Sequence, residues 1–146
     1  MKSSIFNTKL YAAFTILFAI AILQSCGSTK YNFSTSPVVP AAEGSVKVKK
    51  DNNSNYSIAL DVKRLAEPKR LTPAKEMYIV WMETEENGRK NIGQLKTSSG
   101  LFSSTLTSTL KTVSTFKPTG FFISAEDDAN IQYPVGQTVL STGSLQ

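Results

Sequence analysis

The sequence predicts an all-β fold, a sandwich of about seven short strands that follows a cleaved export signal. Three observations predict it. From Ser45 onward the dominant hydrophobic period is two, β-branched and aromatic residues fill the stretches between Gly, Pro, Asn and Asp clusters, and segments of helical period are missing. The 146 residues hold 16 Lys+Arg, 11 Asp+Glu, one Cys and no His. That inventory excludes a Ser-His-Asp triad, a Cys-His pair, a Cys/His zinc site and an internal disulfide.

The first 25 residues read as a signal peptide. Lys2 and Lys9 form a basic start, and Leu10 to Leu23 is an uncharged apolar run, shorter than the roughly 20 residues of a spanning helix. It ends in Leu23-Gln24-Ser25-Cys26, which resembles the lipobox of bacterial lipoproteins, so Cys26 is the expected lipidation site and the lipid the expected membrane contact. A lone thiol in an oxidising compartment is otherwise a liability. Removing 25 residues, two of them lysines, leaves 121 with 14 basic and 11 acidic side chains.

Residues 26–44 form the lipidated Cys and an expected flexible tether, because Gly27 to Gly44 is rich in Ser, Thr, Pro and Gly without a sustained period. A flexible chain of that length holds the domain about 25 Å from the bilayer. The stretch Gly27-Ser28-Thr29-Lys30 resembles neither the acidic signals of surface-exported lipoproteins nor the Asp that retains others in the inner membrane. The expected address is therefore the periplasmic face of the outer membrane.

The domain is expected over residues 45–146. Val46 and Val48 start the first strand, and Asp51-Asn52-Asn53-Ser54 is a turn. Tyr56, Ile58, Leu60 and Val62 alternate with Ser57, Ala59, Asp61 and Lys63, giving one buried and one wet face. Pro68 and Pro73 place Ala66 to Glu76 outside regular pairing, as a crossing between sheets. Met77 to Thr84 is the strongest strand, central and covered on both sides, with Met77, Ile79 and Trp81 on one face and Tyr78, Val80 and Met82 on the other. Glu86-Asn87-Gly88-Arg89 makes a hairpin turn with φ > 0 expected at both Asn87 and Gly88, and a strand through Ile92 and Leu95 returns beside it. The Ser/Thr-rich stretch from Ser98 to Thr119 holds two short strands. Gly120 to Glu126 is a strand, Asp127 to Asn130 a turn, Ile131 to Val135 irregular around Pro134, and Gln137 to Ser141 closes the fold.

Two stretches are similar to a known family. Leu71-Thr72-Pro73 leading to Tyr78-Ile79-Val80-Trp81, the hairpin and Ile92-Gly93-Gln94-Leu95 resembles the core of the extracytoplasmic C-terminal domain of anti-sigma-K factors and related bacterial envelope proteins. The run Phe121 to Glu126, then Tyr133 to Leu140, is similar to its closing element. The resemblance spans about Leu60 to Leu140 and implies an immunoglobulin-like sandwich outside the cytoplasm. It covers no sigma-binding part, so sigma binding is not expected.

Chemical motifs are weak. Ser108-Thr109-Leu110-Lys111 has Ser-x-x-Lys spacing, but strand alternation sends Ser108 and Lys111 to opposite faces. Glu83, Glu85 and Glu86 near one turn, and Glu126, Asp127, Asp128 and Asn130 near another, are oxygen-rich, yet neither has a calcium-loop pattern. The expectation is no catalytic residue, no metal and no cofactor. Basic stretches at Lys47 to Lys50, Lys63-Arg64 and Lys69-Arg70 lack interleaved aromatics of the nucleic-acid type; they read as lysines guarding strand edges, with lipid headgroups as a second reading. Trp81 reads as core. Tyr78, Val80 and Met82 are the candidate interface with an unknown envelope protein, provided no loop covers that face. The function expected is a non-enzymatic, lipid-anchored envelope module for protein interaction or envelope structure. The alternative is a small-ligand or glycan-binding lipoprotein, which needs exposed aromatics on one face.

Overall fold

The computed structural model describes residues 27–99 and 106–145. Among these are nine strands and one short 3-10 turn at Pro68–Arg70. The strands are β1 Thr29–Asn32, β2 Glu43–Lys50, β3 Tyr56–Lys63, β4 Met77–Thr84, β5 Gly88–Gln94, β6 Lys96–Ser99, β7 Leu106–Ser114, β8 Pro118–Glu126 and β9 Thr138–Ser144. They form two antiparallel sheets, β1-β2-β3-β7-β6 and β5-β4-β8-β9. With β1 set aside, this is the immunoglobulin order A-B-E-D on one sheet and C′-C-F-G on the other. The fold is thus an all-β, immunoglobulin-like sandwich, with more strands than the seven expected.

β5 is the expected return strand through Ile92, paired with β4; the strand not foreseen is β1, which lies inside the segment read as a tether. Thr29 to Asn32 pair with Val48 to Ser45, and Phe33 N donates to Gly44 O while Ser34 N donates to Ser141 O of β9. The segment then crosses the open side of the sandwich. Ser36 Oγ accepts from the amides of Val38 and Val39, and Val39 and Ala42 join the core. Residues 29–44 are therefore a clasp and not a tether. Their Ser, Thr and Pro content hid two apolar positions, Val39 and Ala42, that the core consumes.

The inter-sheet core takes Ile58, Leu60 and Val62 from β3, Phe121, Ile123 and Ala125 from β8, and Tyr78, Val80 and Met82 from β4. At 3 %, 0 % and 1 % exposed, these last three are interior. The candidate interface strip is corrected on that ground: the face it occupies is turned toward the other sheet. The Tyr78 hydroxyl donates to Ala66 O at 2.9 Å, and burial pushes its pKa up to about 12.

Trp81 is fully buried, but on the other side of β4. With Ile79 and Phe122 it forms a second, smaller core on the outer face of the four-stranded sheet, packed by Met77, Ala129 and Ile131. It therefore differs from the immunoglobulin tryptophan, which faces the inter-sheet core. At the hairpin, positive φ is found at Gly88 (62°) and not at Asn87. Three loop residues followed by a left-handed glycine replace the tight two-residue turn.

Candidate interaction surface

The two sheets present their outer faces differently. On the four-stranded sheet, the β8–β9 loop folds back over Trp81. An extra residue in β5 shifts the register between Val80 and Trp81, with Gly93 at φ 131°. Asn91 thereby lies opposite Trp81, and its Nδ2 donates to Ala129 O at 2.9 Å and Ile131 O at 3.1 Å. Trp81 Nε1 donates to Ser124 Oγ (2.8 Å), and that hydroxyl donates to Glu126 Oε1 (2.5 Å). The buried Glu126 carboxylate also accepts from the amides of Val135 (3.2 Å) and Gly136 (2.8 Å). A Cβ on Gly136 would sit 1.7 Å from Ala125 O, so only glycine permits so close a return. These polar groups hold a lid. The Trp81 and Phe122 rings stack at 6.0 Å beneath it.

The acids of the neighbouring turn diverge. Asp127 pairs with Lys75 at 2.6 Å, Asp128 accepts from Asn130 N, and Glu126 points inward as above. Glu83 meets Arg89 at 3.3 Å, while Glu85 and Glu86 face solvent. Among the described residues no three acidic, Cys or His side chains gather around one point. Ser108 is interior and Lys111 exposed, the separation that strand alternation predicts. Cys26 lies outside the described residues.

Among the described residues no such lid covers the five-stranded sheet. Its inward positions, Val46, Ile58, Leu60, Val62 and Ser108, are buried, and the alternate positions form its outer face. Across that face the register aligns Lys30, Lys47, Ala59 and Lys111 in one row, and Lys49, Ser57 and Val113 in the next. A third row runs Ser45, Asp61, Thr109, Lys96, and a fourth Glu43, Lys63, Thr107. Six exposed lysines thus share one surface: Lys30, Lys47, Lys49, Lys63, Lys96 and Lys111. Facing them are two acids, Asp61 and Glu43, and Glu43 is already paired with Arg64. None of the six lysines makes an ion pair among the described residues.

Lys47 and Lys49 are not guards of an open edge, whereas Lys30 and Lys96 lie on the two edge strands β1 and β6. β2 is paired on both sides, by β1 and β3, so Lys47 and Lys49 stand on the sheet's face. Six lysines against two acids give an excess of four, whereas the 121 residues from Cys26 onward carry 14 basic and 11 acidic groups, an excess of three. Outside this face, residues 26–146 carry eight basic and nine acidic groups, so the net positive charge of that segment comes from this face.

Among the described residues, aromatics do not gather there. Tyr31, Phe33 and Tyr56 pack against the inter-sheet core, and Tyr133 is 77 % exposed on the β8–β9 loop. No protein-family model, no curated protein and no solved structure matches this chain.

Proposed function

We propose that the protein is a non-enzymatic, lipid-anchored module of the bacterial cell envelope, attached through Cys26 at the periplasmic face of the outer membrane and acting through its surface in protein interaction or envelope structure. The observation that carries this reading is the shortness of the link. β1 begins at Thr29, three residues after Cys26, a reach of about 10 Å at most. A lipid on Cys26 holds the sandwich against the bilayer and not at the end of a long stalk. The resemblance to the extracytoplasmic domain of anti-sigma-K factors supports the same compartment.

Stable anchoring needs more than one acyl chain or a chain plus a basic patch. A Cys26→Ala variant is expected to remain unprocessed or misplaced, as read by its mobility on a gel and by fractionation of cells. Finding the processed wild-type chain wholly in the soluble periplasmic fraction would contradict the anchor.

One observation favours a second reading, a small-ligand or glycan binder. Between β5 and the β8–β9 loop runs an open groove of about 610 Å3 lined by Arg89, Lys90, Asn91, Asn130, Gln132 and Tyr133. An exposed tyrosine beside amides and cations is the chemistry that holds a sugar ring. Titration with envelope glycans tests it, and heat on binding that disappears in Tyr133→Ala would favour it.

A further inference from the structure

We propose that the lysine face of the five-stranded sheet docks on the anionic headgroups of the bilayer that carries the chain's own anchor. The proposal rests on the anchor reading above and adds the orientation of the domain.

Lys30 and Lys47 are directly opposite each other on neighbouring strands, an arrangement of like charges that destabilises a sheet. Lys47 and Lys49 follow on the same side of one strand, and Lys111 completes the row. None of these four forms an ion pair with a described acid. A chain that breaks a local stability rule without a compensating contact typically does so at a functional site. An extended anionic surface supplies the compensating contact.

From β1 to β7 the row spans three strand spacings, about 15 Å, and although neighbouring strands twist by about 20°, the long flexible lysine stems can reach a plane together. Ser57, Ala59 and Val113 between them are small or apolar, so no bulky side chain stands off the contact. A broad array of flexible cations suits an extended polyanion, not a pocket ligand.

Lys30 is the second residue of β1 and belongs to the same face, four residues after Cys26. An anchor at that edge leaves the lysine face free to lie down on the bilayer. Each lysine near an anionic surface multiplies partitioning about fivefold. Replacing Lys47, Lys49 and Lys111 therefore weakens surface contact about a hundredfold.

The test uses the processed chain extracted from cells and reconstituted into vesicles of phosphatidylcholine alone, or with about 30 % phosphatidylglycerol to supply the anionic surface. Lysine labelling by an amine-reactive reagent is followed residue by residue. The expected result is labelling of Lys47, Lys49 and Lys111 slowed about fivefold or more in the anionic vesicles, with Lys69 and Lys117 unchanged. In about 0.5 M NaCl, where the screening length is roughly 4 Å, the difference should vanish. In a Lys47→Gln, Lys49→Gln, Lys111→Gln variant the protection of Lys63 and Lys96 should be lost as well. Equal labelling in both vesicles overturns the proposal, as does protection that appears only on adding an acidic polysaccharide. Failure of the anchor has a separate signature: the chain washes off phosphatidylcholine vesicles in salt. In that case salt-sensitive flotation with phosphatidylglycerol vesicles still supports the face, and its absence overturns it.

Discussion

The two outer faces of this sandwich follow opposite rules. The four-stranded sheet turns Ile79, Trp81 and Phe122 outward and then covers them, so that its outside is a second interior sealed by Asn91, Glu126 and the β8–β9 loop. The five-stranded sheet turns lysines outward, and none of the described residues covers them. One face contributes stability and exposes little of its own sheet. The other forgoes stability and exposes a uniform charge. A sandwich needs only its inter-sheet core to fold, so each outer face is available for something else, and the side chains show which use each has.

The largest expected effect lies on the covered face. Trp81→Ala should destabilise the protein by about 3–5 kcal/mol, because it empties the space beneath the loop. That is a large share of the roughly 5–15 kcal/mol available to a domain. A thermal midpoint within a degree of wild type would show that this second core contributes nothing and would erase the contrast.

Glu126→Ala should cost about 2–4 kcal/mol, since it leaves the Ser124 hydroxyl and the Val135 and Gly136 amides without their acceptor. Hydrogen exchange reads it directly: those two amides should lose protection while the β3 amides keep theirs. Loss of protection throughout would mean that the loop is no separate lid.

The shared inter-sheet core offers a pH reference. An unfolded tyrosine ionises near pH 10, whereas burial raises Tyr78 to about 12 in the folded protein. The folded state thus holds this proton more tightly. Its contribution is intact below about pH 10 and is lost as pH rises toward 12. Tyr78→Phe should remove that part of the pH dependence, at a cost of ~1 kcal/mol for the bond to Ala66 O.

The smallest effect belongs to the open face. Lys47→Gln, Lys49→Gln and Lys111→Gln should each change stability by no more than about 0.5 kcal/mol, and relief of repulsion should make the combined variant no less stable than wild type. A loss of several kcal/mol would mean that these lysines serve the fold, ending the division between the faces.

Much of this was legible from the chain. The alternation in Tyr56 to Lys63 and Met77 to Thr84 fixes which residues share a face, and both strands form with the predicted bounds. Alternation does not say which face meets the other sheet. Tyr78, Val80 and Met82 are as apolar as Ile79 and Trp81, so only the pairing partners and the loop decide between them. The lysine face was hidden for a related reason. Lys30, Lys47, Lys63, Lys96 and Lys111 are scattered in sequence and become neighbours through the order β1-β2-β3-β7-β6, which is a long-range property. The clasp at residues 29–44 was masked by composition, since Ser, Thr and Pro signal a linker whether or not Val39 and Ala42 find a core.

The central claim is that the bilayer is met by the open face and not by the covered one. A spin label or fluorophore at Ser57→Cys, between Lys49 and Val113 on the lysine face, can be compared with one at Asn130→Cys on the β8–β9 loop. Both are read against a quencher fixed to the lipid headgroups of anionic vesicles carrying the processed chain. The account predicts strong quenching at position 57, weak quenching at position 130, and loss of the difference in high salt. Equal quenching at the two positions, or stronger quenching at 130, would contradict it.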